Sequence, residues 1–101
     1  MNIGILIIAH APLASALRDC VLHVYPESAT GVLALDVQPN EATETTRLTA
    51  LALLQQLGTP HALVLTDVFG ATPCNVAQKV VDGVRSRLVA GVNLPMLLRT
   101  V

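Results

Sequence analysis

Aromatic residues are almost missing from this chain: Tyr25 and Phe69 stand alone, and there is no tryptophan. No stacking platform for bases can be assembled from them. Charge is also scarce, at 13% of residues with a formal net charge of −1, so there is no basic surface to track a phosphate backbone. Together these absences exclude nucleic acid as a partner. Cys20 and Cys74 are the only cysteines, with no CxxC and no Cys/His cluster at zinc-ligand spacing. They read as reduced thiols of a cytoplasmic protein, and no metal is expected. Ile3–Ile8 followed by Ala9-His10-Ala11 imitates a signal peptide, but it lacks a basic leading region and falls short of the roughly 7–15 apolar residues such a core needs. No run approaches the ~18–20 apolar residues of a membrane span, so direct membrane insertion is not expected.

What the chain does contain is aliphatic: 52% of its 101 residues are hydrophobic, mostly Ala, Val, Leu and Ile. That length suits one domain over residues 1–101. Ile3–Ala9 is a continuous apolar run, the pattern of a strand covered on both faces. Leu13, Leu17, Cys20, Val21 and Val24 recur at helical spacing, in a helix opening near Pro12. Val32–Val37 predicts a second strand. A second helix follows, capped by Asn40, with Glu41 and Glu44 in its first turn and Leu48, Leu51, Leu54 and Ala52 as its buried stripe. Ala62–Leu65 predicts a third strand, and Thr72-Pro73 the N-cap and first position of a third helix that buries Val76, Ala77, Val80 and Val84. Leu88–Ala90 and Leu94–Leu98 complete the pattern as a short strand and the start of a fourth helix. The expected fold is α/β: a doubly wound three-layer sandwich, with helices on both faces of a central four-stranded parallel sheet.

Chemistry in such sheets gathers beyond the carboxyl ends of the strands. Two able side chains fall there, His10 after strand one and Asp67 after strand three. An imidazole beside a helix N-terminus suits nucleophilic work on an anion; the plainer alternative is a satisfied loop histidine. A carboxylate that accepts from Nδ1 would leave Nε2 free to attack; the plainer alternative for Asp67 is a turn-initiating residue. Gly70, Ala71 and Thr72 form a small-residue turn whose N–H groups and hydroxyl could hold phosphate oxygens, although no Gly-Lys-Ser/Thr of a P-loop follows. His23 and His61 are expected away from this edge, and Cys74 is read as packing.

These residues resemble the IIA component of the mannose family of the phosphoenolpyruvate-dependent sugar phosphotransferase system. The resemblance rests on the strand ending in His10, on the block Thr66-Asp67-Val68-Phe69-Gly70-Ala71-Thr72-Pro73-Cys74-Asn75, and on Gly91-Val92-Asn93-Leu94-Pro95-Met96-Leu97. It implies that His10 receives a phosphoryl group at Nε2 from the phosphocarrier HPr and passes it to a IIB domain or subunit. It also implies that Asp67 orients His10 and that Thr72 contacts the phosphoryl group, with no cofactor, in the cytoplasm or at the periphery of a membrane permease complex. Ala11 and Ala71 depart from the glycines common in the family. The resemblance further implies an exchanged antiparallel strand and a closing helix, neither of which is found within these 101 residues, and a homodimer is left open. The alternatives are the phosphotransfer subunit of a dihydroxyacetone kinase system and a regulatory module read out by its phosphorylation state. A receiver domain would need an acidic pair where His10 stands.

Overall fold

Six consecutive buried residues, Gly4–Ala9, make β1 (Ile3–His10) a strand enclosed on both sides. The structure, a computed structural model, describes residues 3–68 and 70–101. After β1 come α1 (Leu13–Val24), a 3₁₀ turn at Pro26–Ser28, β2 (Val32–Val37), α2 (Thr43–Leu57), β3 (His61–Thr66), α3 (Thr72–Val80), β4 (Ser86–Ala90) and α4 (Leu94–Thr100). The four strands form one sheet in the order β2-β1-β3-β4, with every pairing parallel. The chain steps from β1 outward to β2 and then back across to β3. The order therefore reverses between β1 and β3, and a crevice opens beyond their carboxyl ends.

Alternation along the strands divides the core into two layers. Leu6 and Ile8, with Leu33, Leu35, Val37 and Val64, pack against Ala50 and Leu57 of α2 and Val76, Ala77 and Val80 of α3. On the opposite face Ile5, Ile7, Ala9, Val32 and Leu65 meet Ala14, Leu17 and Val21 of α1 and Leu97 of α4. The expected doubly wound sandwich is thus the observed one.

Several local expectations need correction. Cys20 faces solvent, as do Leu13 and Val24, because the buried stripe of α1 is Ala14, Leu17 and Val21. The second helix begins not behind Asn40 but behind Ala42, which leaves Glu41 outside it and Glu44 in its first turn. Small Thr46 and Ala50 face inward where α2 crosses the sheet, while Leu48 and Ala52 are exposed. Ala71, not Thr72, is the N-cap of α3, which moves Pro73 to the second helical position. That helix ends at Val80, and Val84 lies beyond it, exposed. Asp82 causes the stop: its Oδ1 accepts from the N–H groups of Val84, Arg85 and Ser86 at 2.8, 2.7 and 3.0 Å.

Gly4 sits where the α2–β3 connection passes over β1. A Cβ there would lie 2.7 Å from Thr59 Oγ1 and 3.1 Å from Leu57 Cβ. Thr59 cannot easily yield, since its hydroxyl donates to the carbonyl of His61 at 2.7 Å. Gly4→Ala should therefore destabilise the fold by about 1–3 kcal/mol, the cost of overpacking a filled site. Urea unfolding should show an earlier midpoint at unchanged slope. An unchanged midpoint would mean that the connection moves aside freely.

Candidate active site

His10 is the last residue of β1 and lies in register with Val37 at the end of β2. It shares the alternation of Leu6 and Ile8, so its side chain belongs to the face covered by α2 and α3. Asp67 follows directly on β3, which pairs with β1 on the other side. Two adjacent parallel strands thereby end in an imidazole and a carboxylate, and the two meet. His10 Nδ1 lies 2.7 Å from Asp67 Oδ2, and the His10 backbone N–H donates to the same oxygen at 3.1 Å. Asp67 Oδ1 accepts from the Val68 N–H at 2.9 Å.

Burial of Asp67 opposes its charge, but the hydrogen bonds from the His10 ring, the His10 N–H and the Val68 N–H outweigh that penalty. They hold the carboxyl below its ordinary value. An ionised carboxylate only accepts, so the proton of the neutral imidazole sits on Nδ1, and Nε2 keeps its lone pair. The Asp67 side chain is 10% exposed and that of His10 54% exposed, so the carboxylate is sheltered while the ring reaches solvent. This arrangement can present a tautomer-fixed nucleophile to an electrophile carried by another molecule.

The ring opens onto a depression of about 460 Å³ that is also lined by Val37, Gln38, Glu41, Thr43 and Thr72. Thr43 and Thr72 are the first residues of α2 and α3, and neither helix has a side-chain cap. The helix ends that face His10 are therefore those of α2 and α3. The sequence pointed instead to α1, the next helix in the chain, but that end is already occupied: the Asp36 carboxylate takes the Ser15 N–H at 3.0 Å and the Ser15 hydroxyl as well.

Of the predicted turn, Thr72 reaches the depression, while Gly70 and Ala71 do not line it. Gly70 turns the chain at a φ of 85°, a left-handed conformation that favours glycine. Phe69 lies outside the described residues. His23 is exposed in the last turn of α1, and His61 begins β3 at the opposite edge of the sheet. Cys74 is buried in the first turn of α3. Glu41 and Thr43 were not foreseen as neighbours of His10, since only the crossover of α2 brings them there. A larger groove of about 610 Å³ lies at the amino edge, beside His61 and Arg85, remote from the imidazole–carboxylate pair. Among the described residues no helix is long and apolar enough to cross a membrane.

Known proteins are similar to this chain in sequence and shape. A family model, EIIA-man, the PTS system fructose IIA component, matches residues 4–101. The sorbose-specific EIIA component of the PTS system of Lacticaseibacillus casei is 30% identical over 95 residues, 93% of this chain and 68% of that protein. The PTS IIA protein associated with the fucose utilization operon of Streptococcus pneumoniae superposes with a TM-score of 0.87 at 26% identity, covering 98% of this chain and 76% of that one. A mannose/sorbose-specific IIA subunit from Enterococcus faecalis gives 0.84 at 26%, covering 99% and 76%. With a family model spanning nearly every residue and a relative alike over most of its length, the chain belongs to the mannose-family IIA components of the sugar phosphotransferase system.

Proposed function

We propose that residues 1–101 act as one phosphotransfer domain, a carrier that accepts a phosphoryl group on His10 Nε2 from HPr and delivers it to a IIB partner. The observation that carries this reading is the 2.7 Å contact between His10 Nδ1 and the sheltered Asp67 carboxylate, with the other side of the ring open to solvent. In the forward step the N–P bond of the donor phosphohistidine breaks as the bond from His10 Nε2 to phosphorus forms. The donor imidazole leaves with its electron pair, and the second step repeats this toward IIB. Both steps exchange one N–P bond, or a comparable bond on the partner, for another, so catalysis consists of positioning and charge stabilisation. Asp67 offsets the positive charge that grows on the His10 ring as Nε2 attacks. The uncapped start of α3 and the Thr72 hydroxyl meet the phosphoryl oxygens; Gly70 and Ala71 shape the turn that brings them there.

On this reading the carrier works in the cytoplasm, docked to a permease complex during delivery. The relatives are named for sorbose, for a fucose utilization operon and for mannose/sorbose, and a sugar, taken up by the phosphotransferase system, is the substrate class assigned here.

Labelling tests the reading. With phosphoenolpyruvate, the general enzyme and HPr, the chain should take up one phosphate that is labile in acid and stable in base, and peptide mapping should locate it on His10. Adding a mannose-family IIB protein should then remove it. A base-labile phosphate, or one located on Asp67, would overturn the proposal.

A further inference from the structure

The alternation that puts Leu33, Leu35 and Val37 on the α2–α3 face puts Asp36 on the α1 face with Val32 and Ala34. Asp36 lies in register with Ala9, one residue before His10. α1 begins behind Pro12 with no side-chain cap of its own and no acidic residue in its first turn. Its end is instead closed from the neighbouring strand, by Asp36 Oδ1 on the Ser15 N–H at 3.0 Å and Asp36 Oδ2 on the Ser15 hydroxyl. One further bond ties the same stretch to β2, from the Ala11 N–H to the carbonyl of Val37 at 3.1 Å.

Only Ala11 and Pro12 separate His10 from α1. A shift of the helix start is therefore passed to the His10 backbone through two residues. The His10 N–H shares Asp67 Oδ2 with the ring, so a displaced backbone disturbs both bonds that orient the imidazole. We infer that Asp36, acting through Ser15, is a positioning residue for His10, fixing from β2 the geometry that Asp67 fixes from β3.

The inference rests on the phosphocarrier reading, and the test separates the two. Asp36→Ala removes the acceptor; Asp36→Asn keeps one carbonyl oxygen for the Ser15 N–H; Ser15→Ala removes only the hydroxyl bond. Single-turnover phosphorylation by HPr should slow roughly tenfold or more in Asp36→Ala, because small misplacements of a reacting group carry rate penalties of that order. The rate should recover to within about threefold of wild type in Asp36→Asn, since a neutral side-chain oxygen can still cap. Ser15→Ala should fall between. The apparent KM for HPr should stay unchanged. The ¹⁵N shifts of the His10 ring should move away from the Nδ1–H tautomer in Asp36→Ala and return in Asp36→Asn.

A merely structural role would lower the melting temperature without moving the ring shifts. Wild-type rate and ring shifts in a folded Asp36→Ala chain would overturn the inference. Should Asp36→Ala fail to fold, Ser15→Ala decides: a wild-type rate and wild-type ring shifts there overturn it too. If the wild-type chain itself carries no label on His10, the phosphocarrier reading falls, and the inference falls with it.

Discussion

Presented with phosphoenolpyruvate, the general phosphotransferase enzyme and HPr, a His10→Ala chain should take up no label, while His23→Ala and His61→Ala chains should label at the wild-type rate. On the proposed reading this substitution removes the attacking atom, and no neighbour can make up the loss. His61 stands opposite Ile3 at the start of β1, and His10 ends that strand seven residues on. Their backbone positions are thus roughly 23 Å apart along the strand direction. His23 lies in the last turn of α1, away from the helix start that adjoins His10. Among the described residues neither ring has a carboxylate partner like Asp67. The expected loss is on the order of 10⁶-fold, the scale on which removing a covalent nucleophile acts. Circular dichroism should be unchanged, because His10 is mostly exposed and contributes little to the core. Label that persists in His10→Ala would move the nucleophile elsewhere and undo the proposed function.

How much of this was legible beforehand depends on which forces set each feature. The aliphatic run Val32–Val37 coincides with β2, because a strand in a two-sided sheet writes its burial directly into the sequence. His10 and Asp67 were legible as strand-end residues for the same reason: once the strands are placed, so are their carboxyl ends. Their 2.7 Å contact was not legible, since it needs β1 and β3 to be neighbours, and strand order is a tertiary fact. Helix faces misled where small residues faced inward. Spacing favours Leu48 over Thr46, but close packing of α2 on the sheet buries Thr46 and Ala50. Val84 continues the helical period past the end of α3, whereas the stop comes from the Asp82 carboxylate gathering three N–H groups. Gly4 marks the α2–β3 connection in the sequence, since a glycine inside a strand often means that another chain segment passes close by. The roles of Asp36 and Ser15 left no such mark, because their pairing crosses from β2 to α1 over twenty-one residues.

Asp67→Asn should fold and still slow phosphoryl acceptance by roughly 10²–10³-fold, the usual cost of losing one preorganised electrostatic partner in a transfer step. The reason is a mismatch of donors. In the wild type both carboxylate oxygens accept, Oδ2 from the His10 ring and N–H and Oδ1 from the Val68 N–H. An amide offers one oxygen. If that oxygen faces His10, the NH₂ group confronts the Val68 N–H; if it faces Val68, the NH₂ group confronts His10 Nδ1. The second orientation forces Nδ1 to accept and puts the proton on Nε2, which removes the lone pair that the proposed step uses. In either orientation the charge that offsets the developing positive ring is gone. The ring ¹⁵N shifts should report the change of tautomer, and a titration of stability should report the change of charge. Burial works against ionised Asp67, but its hydrogen bonds prevail and depress its native pKa. The folded state therefore favours the carboxylate. The resulting stability is complete above about pH 4, the ordinary value for aspartate, and is lost as the pH falls through the lower native value. Asp67→Asn lacks that ionisation, so in acid it should lose less stability than the wild type over the same interval. A wild-type transfer rate in Asp67→Asn, measured at matched circular-dichroism signal, would leave Asp67 as a turn residue and the orientation of His10 to other groups.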